Sequence, residues 1–370
     1  MSASTGPVGV GIIGAGVISS QYLDNLTQFP DVKVLFIADL DLARAAAQAE
    51  KYGVPASGTV DELLATGDIE IVVNLTIPAV HVEVGLRILD AGKHIWSEKP
   101  FSLDRESGRR LLDAATAKGL RVATAPDTVL GAGQQTALRA IADGRIGRPL
   151  TALTQMQGPG PESWHPSPEF LFDLGAGPLF DMGPYYLTSL VNVFGPARRV
   201  TAVSNTATPT RVIGSGPKAG TEFPVNVPTH VSAIIEFDDD ASAVVVLSFQ
   251  SHLPRTGVVE VSGSDGSIAF PDPNEFDGDS HLWERGDEEP SAIAPVGSVF
   301  GRGTGIVELA RAIRAGVPER ASAELAFHVV DIMTSIAESA ATRQAVPVET
   351  TAVRPEPLPA DWDPSAATLV

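Results

Sequence analysis

The 370-residue chain contains no cysteine, which excludes disulfides, thiolate catalysis and cysteine-ligated metal together. Positive charge is also scarce: 26 Lys and Arg stand against 45 Asp and Glu, for a formal charge of -19. A surface of that sign repels phosphate, so neither nucleic acid nor an anionic membrane is an expected partner. No uncharged apolar run is long enough to span a bilayer. The opening residues lack a basic segment followed by an apolar run and a small-residue cleavage site, so no secretion leader is expected. No two histidines stand at metal-ligand spacing on a helical pattern, and a catalytic zinc is not expected either. What remains is the expectation of a soluble, cytoplasmic protein that acts on a small molecule.

Apolar material is ample, at 44% of residues, and the length suggests two domains. Between Val8 and about Ala125, apolar runs (Val8–Ile13, Val32–Ala38, Ile69–Leu75, His94–Ser97, Arg121–Ala125) alternate with stretches of helical length (Leu42–Lys51, Ala79–Ala91, Leu103–Lys118). The runs show little polar alternation, as parallel strands covered on both faces do. Strand and helix repeated in this way predict an α/β fold with a doubly wound parallel sheet, the Rossmann arrangement, over residues 1–125.

The first turn of that pattern reads Gly14-Ala15-Gly16-Val17-Ile18-Ser19 between a buried strand and a helix. Gly14 allows a tight turn, and Gly16 leaves room for a pyrophosphate against the N–H groups of the helix start. Gly14, Gly16, Val17 and Ile18 are therefore candidate contacts to a dinucleotide. The second strand ends in Ala38-Asp39-Leu40-Asp41. Asp39 stands where a carboxylate accepts from the ribose hydroxyls and repels a 2′-phosphate, which favours NAD over NADP. Asp41, just ahead of the next helical run, suits a helix cap.

Two further segments carry a family resemblance. One is Asn74-Leu75-Thr76-Ile77-Pro78 with His81 after it; the other is Gly92-Lys93-His94-Ile95-Trp96-Ser97-Glu98-Lys99-Pro100. Both resemble the Gfo/Idh/MocA family of oxidoreductases, whose Glu-Lys-Pro signature stands here as Glu98-Lys99-Pro100. The resemblance implies that Thr76, Pro78, His81, Glu98 and Lys99 lie near the cofactor and that Lys99 is catalytic. It also implies a sugar, glycoside or cyclitol as substrate. An ammonium beside a positively charged nicotinamide has a lowered pKa and can hydrogen-bond a hydroxyl, which suits Lys99 to the role independently. The competing reading of Lys99 is a surface lysine ending a strand.

From residue 126 to 370 the pattern changes. Helical stretches at 133–143, 179–193 and 323–343 accompany strand-like runs at 150–157, 198–203, 231–237, 241–249 and 258–263. Asp238-Asp239-Asp240 reads as a hairpin turn, while 206–227 and 271–305 show neither periodicity. The resemblance implies an α+β domain here, with a large, mostly antiparallel sheet whose open face meets another subunit, giving a homo-oligomer (dimer or tetramer). The family pattern Asp-x-Gly-x-His appears as Asp181-Met182-Gly183-Pro184-Tyr185, with tyrosine in the histidine position.

Oxidising an alcohol needs a base for the hydroxyl proton. The Tyr185 phenol, with an ordinary pKa of about 10, would be favoured as phenolate by a nearby ammonium. His165, in the loop Glu162-Ser163-Trp164-His165-Pro166, titrates near neutrality unaided and is the alternative base, or else an exposed loop histidine. Asp181 lies one turn before Tyr185 and suits orienting the lysine or binding a hydroxyl. Two other activities use the same residues: an NAD-dependent glycosidase working by transient oxidation and elimination, and a non-catalytic NAD sensor.

Overall fold

The structure, a computed structural model, describes residues 6–369. By packing, the chain falls into two units that do not divide at a single cut: residues 1–132, 296–327 and 358–370 form the first, and 133–295 with 328–357 the second.

The first unit is built on a six-stranded sheet in the order β3-β2-β1-β4-β5-β6, with every neighbouring pair parallel. The elements run β1 (Val8–Ile13), α1 (Val17–Leu26), β2 (Val32–Ala38), α2 (Leu42–Tyr52), β3 (Ala56–Gly58), α3 (Val60–Ala65), β4 (Ile71–Asn74), α4 (His81–Asp90), β5 (His94–Ser97), α5 (Arg105–Lys118) and β6 (Val122–Thr124). β1, β4 and β6 are buried along their whole length, the condition under which a strand loses polar alternation. Asp41 caps α2 by accepting from the Ala43 and Arg44 N–H groups, as its position predicts.

In the second unit, α6 (Ala132–Ala142) is followed by β7 (Pro149–Gln157), α7 (Gly177–Phe194), β8 (Ala197–Asn205), β9 (Thr210–Val212), β10 (Glu222–Pro224), β11 (His230–Phe237), β12 (Ser242–Ser248), β13 (Arg255–Gly263), β14 (Gly266–Ala269), β15 (Ser280–Glu284) and β16 (Ser291–Ile293). Helix α8 (Thr304–Ala315) belongs to the first unit; α9 (Ala323–Thr342) begins in it and continues into the second, which also holds strand β17 (Val346–Pro347). Nine strands form one sheet in the order β16-β15-β14-β13-β7-β12-β11-β8-β17, antiparallel except for the β7–β12 pair. The α+β expectation holds for this unit.

The two stretches without periodicity are more ordered than expected. Residues 206–227 hold the β9–β10 hairpin, and 271–305 supply β15, β16 and the start of α8. These strands are three to five residues long, too short to display a period. The N-cap position of α8 is Gly303, which offers no side-chain cap. Its cap comes from elsewhere: Asp127 Oδ2 accepts from the Gly303 and Gly305 N–H groups at 2.8 and 3.3 Å. Gly305 sits directly on the Trp96 indole, where a Cβ would overlap the ring.

Candidate active site

Strand register aligns the chemistry of the first unit. Ile13 pairs with Ala38 and Asn74, Asn74 with Ser97, and Ser97 with Thr124, so one row of residues ends five strands together. The residues that follow this row are Gly14, Asp39, Leu75-Thr76, Glu98-Lys99 and Ala125-Pro126. The carboxyl edge of a parallel sheet is where open α/β folds bind ligands.

The glycine turn has the geometry a dinucleotide requires. Gly14 has φ 105°, and a Cβ on it would lie 2.7 Å from the Leu75 carbonyl oxygen. A Cβ on Gly16, by contrast, would meet nothing within 4 Å, so open space lies over the start of α1. No side chain caps that helix, which leaves its first N–H groups for an anion. Val17, Leu40 and Ile77, each just past the end of a strand, are 91, 97 and 66% exposed. Large apolar side chains held in water beside an uncapped helix fit a site that a dinucleotide covers. Ile18 opens α1 beside them and packs partly buried against the core.

Asp39 is buried and fully engaged. Its Oδ2 accepts from the Ala15 N–H at 2.7 Å, and its Oδ1 from the Asp41 N–H at 2.9 Å and from Arg44 Nη2 at 2.8 Å. Desolvation pushes its pKa up, but the Arg44, Ala15 and Asp41 donors outweigh it and hold the carboxyl below the usual range. A charged carboxylate therefore stands at the end of β2 and also pins the glycine turn.

The turns after β4 and β5 are braced by side chains. Asn74 Oδ1 accepts from Thr76 Oγ1 at 2.7 Å, and Asn74 Nδ2 donates to the His81 carbonyl at 3.0 Å. Pro78 begins the short turn that leads into α4. His81 is buried, with Nδ1 2.9 Å from the Pro100 carbonyl and Nε2 2.9 Å from the Thr76 carbonyl. A neutral imidazole has one N–H for these two acceptors, and the imidazolium has one for each. Burial holds the His81 pKa below its ordinary value, against the pull of both carbonyls and Glu98. Glu98 is likewise buried: Oε1 accepts from the Tyr22 hydroxyl at 2.7 Å and Oε2 from the Lys99 N–H at 3.1 Å. His81 and Glu98 thus direct their polar atoms at the protein. Lys99 is half-buried, and the Lys99-Pro100 peptide is cis.

In the second unit, Asp181 and Tyr185 lie one turn apart on α7, with Tyr185 buried and Asp181 half-buried. Pro184 stands between them inside the helix and removes one backbone donor there. His165 lies in the loop after β7, its ring edge-on to Trp164 and Phe170, each at 5.5 Å between centroids. Its Nδ1 accepts from the Ser167 N–H at 3.1 Å, so a neutral ring carries its proton on Nε2. Arg211 pairs with Glu162 in the same loop. Sequence reading missed Tyr22, Trp96 and Asp127, which read as ordinary core and loop residues. Among the described residues, no group of three or more His, Cys, Asp or Glu could hold a metal ion, and no helix is long and apolar enough to cross a membrane.

Comparison with known proteins agrees with this geometry. Residues 8–125 match the profile described as the oxidoreductase family, NAD-binding Rossmann fold, and residues 134–269 match the GFO/IDH/MocA C-terminal domain. An uncharacterized oxidoreductase of Rhizobium meliloti, ORF334, is 28% identical over 341 residues, 89% of this chain and 96% of the relative. Inositol 2-dehydrogenase 3 of Saccharopolyspora erythraea is 29% identical over 161 residues, 43% of this chain and 48% of that protein. The structure of levoglucosan dehydrogenase in complex with NADH and L-sorbose superposes with a TM-score of 0.80 at 22% identity, over 93% of this chain and 100% of that one, and shares the fold. The chain belongs to the GFO/IDH/MocA family of oxidoreductases, whose N-terminal domain is an NAD-binding Rossmann fold.

Proposed function

We propose that the protein is a dehydrogenase that transfers hydride between NAD and a secondary hydroxyl of a sugar, glycoside or cyclitol. The observation that carries the reading is the aligned strand edge, which brings the open Gly16 turn, the Asp39 carboxylate and Glu98-Lys99-Pro100 to one side of one sheet. The relatives that act on inositol and levoglucosan support a cyclic polyol as the substrate class.

When bound, NAD supplies the hydride acceptor, and the protein's own groups manage the proton. In this reading Lys99 hydrogen-bonds the reacting hydroxyl, and the Tyr185 hydroxyl takes part in moving the proton. Asp181, one turn away, orients the lysine or holds a neighbouring hydroxyl. His165 is the alternative base, a role that calls on its Nδ1 lone pair, which accepts from the Ser167 N–H in the structure. NAD is preferred over NADP because the charged Asp39 repels a 2′-phosphate. The enzyme is proposed to work in the cytoplasm as a homo-oligomer.

The test is NADH formation on mixing protein and NAD with monosaccharides, glycosides and inositols, alongside Lys99→Met. Turnover that disappears in the variant supports the reading. Aglycone release without net NADH points to a redox-assisted glycosidase, and tight NAD binding with no turnover points to a sensor.

A further inference from the structure

Lys99 is flanked by two buried side chains that come from different helices. Before it, Glu98 uses one carboxylate oxygen on the Lys99 N–H (3.1 Å) and the other on the Tyr22 hydroxyl of α1 (2.7 Å). After it, the Pro100 carbonyl meets Nδ1 of His81 in α4 (2.9 Å). Tyr22 is itself fixed, since its oxygen accepts from the Trp96 indole N–H at 3.2 Å and its side chain is 0% exposed. Burying a carboxylate is costly unless donors meet it. Here the backbone N–H of the next residue is one donor, and the hydroxyl of a tyrosine 76 positions earlier in the chain is another. Packing alone would be served at lower cost by an apolar side chain at position 98. The carboxylate has a use that packing lacks: it fixes the peptide plane from which the Lys99 side chain departs.

We propose that Tyr22 is a positioning residue for Lys99, acting through Glu98 and touching neither cofactor nor substrate. The proposal rests on the reading of Lys99 as the catalytic lysine. Tyr22 sets the Glu98 carboxylate, and the carboxylate sets the Lys99 backbone. Displacement of a catalytic group by a fraction of an ångström is enough to slow a reaction by an order of magnitude or more.

The experiment is Tyr22→Phe, which keeps the buried ring and removes the hydroxyl. Leu23→Ala serves as control: Leu23 is a fully buried neighbour on the same helix, so this variant loses stability without touching the network. The chain has six lysines, so reductive methylation with a 13C label gives a short spectrum in which the Lys99 signal is assigned with Lys99→Met. Tyr22→Phe is expected to shift the Lys99 signal, and Leu23→Ala to leave it in place. On a substrate found as above, Tyr22→Phe is expected to lower kcat by about tenfold while KM for NAD and NADH affinity stay near wild type. An unmoved Lys99 signal in Tyr22→Phe, or an equal loss of kcat in Leu23→Ala, overturns the proposal. If Tyr22→Phe fails to fold, Glu98→Gln repeats the spectroscopic test, because the two donors reach different carboxylate oxygens and the substitution turns one of those acceptors into a donating NH2. Lys99→Met separates the two levels: full activity there defeats the catalytic reading, whereas an inactive Lys99→Met beside a wild-type Tyr22→Phe defeats only the positioning role.

Discussion

Asp39 has two jobs, and they predict a mixed phenotype. Its charge is proposed to repel a 2′-phosphate, and its Oδ2 accepts from the Ala15 N–H of the glycine turn. Asp39→Ala is therefore expected to raise the NADP-to-NAD ratio of kcat/KM by about tenfold or more, while weakening the binding of both. Arg44→Ala leaves the carboxylate uncompensated and is expected to move the ratio the other way. Titrating the two cofactors against wild type and both variants checks this, and an unchanged ratio in Asp39→Ala would remove Asp39 from the specificity argument. Much of this residue chemistry was legible in the sequence because its geometry is local: Gly14 and Gly16 lie two positions apart, and Asp41 caps the helix it precedes. Tyr22 was not, because an aromatic on the inner face of a helix reads as core, and its partner Glu98 lies 76 positions away.

At the scale of elements the same distinction holds. β1, β2 and β5 fall where the apolar runs begin and end, since each is largely buried and bounded by turns. α8 went unread because its capping residue, Asp127, lies 176 positions before Gly303. Burial foremost raises the Asp127 pKa from the ordinary 3.8 to about 6, against the Arg302 guanidinium and the two N–H groups it accepts. A folded pKa above the unfolded value gives stability that is present below about 3.8 and lost as pH rises through about 6. The stability of wild type relative to Asp127→Asn is thus expected to fall by on the order of 3 kcal/mol between pH 4 and 7. Denaturant melts of the two proteins across that range measure it. A flat difference would contradict the buried, ionising Asp127. Asp127→Ala removes the cap altogether and is expected to cost about 1–2 kcal/mol.

For the whole molecule, the outward face of the nine-stranded sheet bears on assembly. Leu153, Val244 and Ile234 stand side by side on β7, β12 and β11, at 38, 43 and 50% exposed. An apolar stripe across three central strands suits a subunit contact. For the proposed homo-oligomer, Val244→Glu is expected to lower the mass measured by light scattering to that of a smaller assembly; a wild type with the mass of one chain, or an unchanged mass in the variant, would contradict this contact. The most direct measurement of the central claim is NADH absorbance with a panel of sugars, glycosides and inositols, run with wild type and Lys99→Met. The account predicts NADH formation on at least one cyclic polyol, lost by about a hundredfold or more in the variant. Turnover that survives Lys99→Met would contradict it.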